Sequence, residues 1–279
     1  MSSSRAAKVP SLTRRSRHGG SAYRRLLRSW QHGAGWAWGR LKAAPSAVRI
    51  AVIVAAVLTV FSATNLAYQV WRKPSELLVP VSVSLNKMPA ETWRHYGPLF
   101  RAYSTAAITP ELLAALAQVE GAGNPMARTY WRWRLSWNPL AIYQPASSAV
   151  GTYQMTDAAF ADARRYCIRD HAVVAEGCWF NGLYTRIVPS HAVELTAVFL
   201  DRNVATILAS RPKATASKHQ KEALAAIIHL CGPGPARAFA RRGFTLLPGE
   251  RCGDHDVATY LGRVDAMKRE FLRLAATAG

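Results

Sequence analysis

The sequence predicts an all-α domain carried behind one N-terminal transmembrane helix. Ile50 to Trp71 is a run of twenty-two uncharged, mostly apolar residues. Beyond it, segments with apolar residues at three- and four-residue spacing open on Ser or Thr caps and close on glycine. No alternating run of comparable strength marks a strand.

Before the apolar run, residues 1–49 hold eleven Lys or Arg and no acid, the composition of a solvated, disordered tail. The run itself, at ~1.5 Å per residue, spans roughly 33 Å, the hydrocarbon thickness of a bilayer. A core helix of that length would show a polar face, and Ile50 to Val60 shows none. The eleven leading cations, against only Arg72 and Lys73 just after the run, predict a cytoplasmic N-terminus and an exported remainder. The leader is longer than a cleavable signal, so an uncleaved single-pass signal anchor is expected. Of the net charge of +20, residues 1–75 supply thirteen cations and no acid, and residues 76–279 carry twenty-three cations and sixteen acids. That leaves +7 on the exported side, suited to an anionic polymer; topology explains the basic tail without nucleic acid.

Residues 72–88, with Pro74 and Pro80, read as a linker, and 89–279 as the domain. A first helix is expected over Ala90–Tyr103, with Gly97-Pro98 kinking or splitting it. Thr109-Pro110-Glu111 opens a second, an N-cap followed by proline at the first helical position. Leu112, Leu116 and Glu120 then fall four apart, which sets a carboxylate at the end of an apolar stripe. Gly121-Ala122-Gly123-Asn124-Pro125 ends that helix, leaving Glu120 at a helix-to-loop corner beside a cleft. A solvated surface glutamate is the plain alternative.

Tyr130, Trp131, Trp133, Trp137 and Tyr143 form an aromatic stretch with interleaved arginines, fitted to stack on sugar rings or to make a small satellite core. A Ser147-Ser148 turn leads to Gly151-Thr152-Tyr153-Gln154-Met155, and Thr156-Asp157 caps a helix expected to run to about Arg169. A core helix capped by Ser190 should run to about Ser210, followed by a basic break at 211–217. Lys218–Leu230 is helical and stops at Gly232-Pro233-Gly234, and a last helix covers about Asp254–Ala276.

Cys167, Cys178, Cys231 and Cys252 all lie after the apolar run, an even set as expected of an oxidising compartment. Of three pairings, the local one is expected, Cys167–Cys178 and Cys231–Cys252, each clipping a loop between helices. Zinc-ligand spacing is lacking, and no metal or cofactor is called for.

Glu120 with Asn124-Pro125, then Gly151-x-x-Gln154, then Gly232-Pro233-Gly234 after a helix, resembles the lytic transglycosylases over roughly Pro89 to Gly279. The resemblance implies a lysozyme-like fold with little of the usual β-hairpin. It also implies a function: non-hydrolytic cleavage of the bond between N-acetylmuramic acid and N-acetylglucosamine in peptidoglycan, giving 1,6-anhydromuropeptides. Glu120 would be the catalytic acid and base. Gln154 would bind substrate or position the Glu120 carboxyl, Gly151 would bind substrate, and Tyr153 and Tyr260 would wall the groove, core packing being the alternative for Tyr260. The chain departs from the family where His229-Leu230 stand in place of a common Tyr-Asn, and in the aromatic insert. His229 is either a replacement groove contact or simply placed by the helix dipole.

A hydrolytic glycosidase needs two carboxylates, ~5–5.5 Å apart for retention or ~6.5–9.5 Å for inversion, and only one acid here sits in a motif. A lysozyme-type hydrolase and a catalytically dead, membrane-tethered wall-binding protein are the alternatives. The expected partners are glycan strands and the bacterial inner membrane, with the domain in the periplasm. An envelope-spanning or secretion assembly is a further candidate partner.

Overall fold

The computed structural model describes residues 39–74, 76, 83–210 and 215–277. Residues 1–38 of the basic tail, 75 and 77–82 of the linker and 211–214 of the basic break lie outside those residues. The chain divides into two compact units, Met1–Thr64 and Asn65–Gly279.

Helix α1, Ser46–Arg72, is unbroken, with a mean hydropathy of 2.2 in its most apolar stretch; it is long and apolar enough to cross a membrane. Its last turns have a second character. Asn65 and Gln69, each 3% exposed, donate to backbone carbonyls of the following domain: Nδ2 to Tyr143 at 2.8 Å and Nε2 to Leu140 at 2.7 Å.

The second unit is mostly helical. Helix α2 is Pro89–Ala102 and α3 is Pro110–Gly121. Thr109 Oγ1 accepts from the Leu112 N–H at 3.3 Å, the cap expected from Thr-Pro. Residues 112–117 of α3 are fully buried, three of them alanines that let neighbours approach closely. Against α3 pack α2 and the long C-terminal helix, with Trp93 bridging Phe100 and Phe271 at ring distances of 6.1 and 5.8 Å. Pro98 neither splits nor ends α2. It lies on the solvent side with Arg94, whose carbonyl loses only a bond that water replaces.

Three short antiparallel hairpins, which the sequence reading missed, interrupt the helices. Strands β1 (Trp131–Trp133) and β2 (Tyr143–Pro145) pair with Trp131 opposite Pro145 and Trp133 opposite Tyr143. Helix α4 is only Asp157–Ala163, so the helix expected to reach Arg169 stops early. Residues Cys167–Arg169 (β3) and Ala172–Val174 (β4) form a hairpin instead, turning at Asp170 and His171, both left-handed at φ 48° and 61°. Two consecutive positive φ values are what a tight hairpin needs, and aspartate tolerates them. Buried Glu194 accepts from the Ile168 N–H at 2.9 Å and from Tyr184 Oη at 2.8 Å, which fastens β3 to the core.

Helix α5, Pro189–Ala209, starts on proline after Val188, so Ser190 lies inside the first turn and is not the cap. Helix α6, Lys218–Cys231, opens on a Ser217/Gln220 capping box. Gly232 (φ 79°) does end it, but Pro233 starts another helix, α7, Pro233–Arg241. The third hairpin, β5 (Arg251–Cys252) with β6 (His255–Asp256), occupies the expected start of the last helix. Helix α8 therefore runs Val257–Thr277.

Cys167–Cys178 and Cys231–Cys252 are both disulfide-bonded. The first closes over the β3–β4 hairpin, not a loop between helices. The second ties the end of α6 to β5, immediately before α8. Replacing Cys231 and Cys252 by Ala should cost ~2–5 kcal/mol, the usual effect of losing a native disulfide. Urea midpoints of the two proteins check this, and equal midpoints would show that the bridge braces nothing.

Candidate active site

Glu120 stands in the last turn of α3 with its side chain 19% exposed. The helix ends there because Ala122 turns left-handed at φ 49° and the Gly123 N–H reaches back to the Ala117 carbonyl at 3.1 Å. Tyr260, in the first turn of α8, donates its hydroxyl to Glu120 Oε1 at 2.6 Å. His229 Nε2, from the last turn of α6, lies 3.7 Å from the same oxygen and is 8% exposed. Three helices thus deliver one residue each. Cys231–Cys252 joins α6, which carries His229, to β5 of the hairpin that leads into α8 and Tyr260.

Beside Glu120 opens a groove of about 830 Å³. One side is the end of α3 with Gln118 and Asn124, and the other is Arg128 with the first hairpin, Tyr130, Trp131 and Tyr143. Among the described residues lining it, Glu120 is the one carboxylate. Trp131 is held by an ion cluster that the sequence did not reveal. Glu76, whose side chain is fully buried, accepts from Trp131 Nε1 at 2.8 Å and from Arg128 at 3.1 Å, with Lys73 at 3.3 Å. The cluster joins the exit of α1 to the groove wall.

The second motif is placed against the first. At Gly121 a Cβ would come within 2.6 Å of the Thr152 carbonyl, so the absence of a side chain lets the two motifs abut. Gly151 (φ 84°) donates its N–H to the Ala127 carbonyl at 2.8 Å. Gln154, left-handed at φ 46°, gives its side-chain amide to the Gly151 carbonyl at 3.0 Å, closing the turn on itself. Arg186 clamps the loop from outside: its guanidinium donates to the Ser148 and Met155 carbonyls at 2.9 and 2.7 Å and pairs with Asp157 at 2.6 Å. No sequence motif pointed to Arg186.

Tyr153 and Tyr260 do not wall the groove as expected. Tyr153 is 1% exposed in the core and Tyr260 2% exposed behind the Glu120 carboxyl; the wall is built by Tyr130, Trp131 and Tyr143 instead. Nor does the insert form a satellite core, since Tyr130, Trp133, Leu135 and Trp137 are exposed. Among the described residues no three His, Cys, Asp or Glu side chains cluster as a metal site.

Burial, reinforced by the Glu120 charge, pushes the Tyr260 phenol well above its usual range, so it remains a proton-bearing donor at neutral pH. Tyr153 is raised by burial, and Tyr184 by burial and by its bond to Glu194. A phenol whose folded pKa exceeds its unfolded value contributes stability below the unfolded pKa and loses it as pH rises further. The domain should therefore lose stability with each step above about pH 10, where unfolded tyrosines ionise. Urea midpoints measured through that range test it; a flat profile would contradict the burial of these hydroxyls.

No protein-family model matches the chain, and no curated protein matches it.

Proposed function

We propose that the domain is a peptidoglycan lytic transglycosylase, exported and held at the bacterial inner membrane by α1, with Glu120 acting as both acid and base. The observation that carries this reading is a single, partly buried carboxyl, gripped on one oxygen by Tyr260, facing a groove with no second carboxylate among its described lining residues. One acid suffices when the sugar supplies the nucleophile. Glu120 protonates the glycosidic oxygen as the C1–O4 bond breaks. The muramoyl C6 hydroxyl then adds to C1, and its proton passes to the carboxylate, closing the 1,6-anhydro ring and restoring the acid. Tyr260 and His229 both approach Oε1, which leaves Oε2 for proton exchange. Trp131 and Tyr143 offer faces to sugar rings, as aromatic groups in carbohydrate grooves do.

The test is mass spectrometry of purified wall digested by the full chain in detergent. Anhydro ends support the proposal. Reducing ends would indicate a hydrolase, and undigested wall a binding protein. Tyr260→Phe should lower kcat about ten- to a hundredfold with KM little changed, the scale of one hydrogen bond to a charged group. An unchanged kcat would remove Tyr260 from the machinery.

A further inference from the structure

The largest feature the proposed chemistry leaves unused is the tip of the first hairpin. In a soluble surface loop, Leu135 and Trp137 would be expected to find cover, yet they are 103% and 105% exposed, with Trp133 at 72%. Arg132 and Arg134, also exposed, alternate with them. Large exposed apolar groups gathered in one place mark a contact surface.

The contacts of this hairpin indicate which surface. Asn65 and Gln69 bond to the carbonyls of Tyr143 and Leu140, and these amides lie in the last two turns of the apolar run that ends at Trp71. The hairpin is therefore fixed to the last two turns of that run, which ends at Trp71, itself 86% exposed, and is followed by Arg72. Tryptophan, with an apolar body and one N–H, and arginine, which pairs with phosphate, are the residues enriched where hydrocarbon gives way to headgroups. A second exposed apolar segment, Trp179, Phe180 and Leu183, leads into Tyr184–Ile187, which share a cleft with Arg72 and Lys73 at the same end of α1.

We propose that the 133–137 tip is a second, interfacial membrane anchor: Trp137 and Leu135 enter the headgroup–acyl boundary of the leaflet where α1 emerges, and Arg132 and Arg134 meet lipid phosphates. This rests on α1 crossing the bilayer and not on the chemistry at Glu120.

The test uses the full chain reconstituted into phosphatidylcholine–phosphatidylglycerol vesicles, with ordinary lipid or lipid brominated on the acyl chain near the headgroup. Trp137→Phe serves as the reference; its side chain makes no packing contact to lose, and retained circular dichroism confirms the fold. The wild-type minus Trp137→Phe emission should be blue-shifted and should lose most of its intensity in brominated vesicles. A difference spectrum at the position of indole in water and untouched by bromine would overturn the interfacial anchor, provided the protein stays with the vesicles through a carbonate wash. Protein that washes off would overturn the membrane span and the hairpin anchor together. Muropeptide release by either protein in detergent is unaffected by any of these outcomes.

Discussion

Glu120→Gln should abolish release of anhydromuropeptides while leaving the fold and both disulfides in place. The amide has the shape of the acid, and the Tyr260 hydroxyl can still donate to its carbonyl oxygen, so the packing among α3, α6 and α8 has no reason to change. What is lost is the exchangeable proton. General acid–base catalysis is commonly worth ~10²–10⁴-fold, and here one group is asked to act at both the departing O4 and the attacking O6, so the loss should lie at or beyond the upper end. The measurement is the rate of anhydro-end formation, with thermal melting as the check on folding. A variant that releases muropeptides at the wild-type rate would end the assignment. A variant that melts early would instead show that Glu120 is needed for structure, and Glu120→Asp, which keeps the proton but shortens the reach, separates the two effects.

The helices that build this site were legible because their signals are local. Thr109-Pro110 caps α3 as it reads, and Leu112 and Leu116 of its apolar stripe are buried. The corner at Glu120 was legible for the same reason. The partners of Glu120 were not, because Tyr260 lies 140 residues away along the chain and nothing in the intervening pattern says that α8 crosses the end of α3. The resemblance offered Tyr260 as a groove wall, with core packing the alternative, and neither reading made it the partner of a carboxylate. The hairpins escaped because their strands are two or three residues long, too short for alternation to register, and because Asp170-His171 is a weaker turn signature than Asn-Gly. At Gly232-Pro233 the glycine was read as a stop, although a proline directly behind it equally suits the first turn of a new helix, which is what α7 makes of it. The cysteine pairing was legible because nearby cysteines close short loops. That one pair staples a hairpin required the hairpin to be seen first.

Gly151→Ala should cost about 2–6 kcal/mol, combining ~1–3 for a left-handed backbone with ~1–3 for overpacking. The residue sits at φ 84°, a conformation that side chains rarely adopt, and a Cβ there would fall inside the contact radius of the Arg186 carbonyl oxygen. Arg186 cannot easily give way, because its guanidinium is committed to Ser148, Met155 and Asp157. Nor can Gly151 swing outward without breaking its bond to Ala127. The nearest relief is a shift of the loop, and that loop presses its Thr152 carbonyl on Gly121, the residue after Glu120. Stability and muropeptide release should therefore fall together, which distinguishes this variant from Glu120→Gln. Gly262→Ala is the matched control. Gly262 is exposed in α8 with open space where a Cβ would be added, so the same substitution should stabilise the domain by about 0.5–1 kcal/mol through helix propensity. Urea midpoints of the two variants against wild type decide the matter. Equal, small shifts for both would mean that the 151–154 turn is loose in solution and does not hold the end of α3 in register.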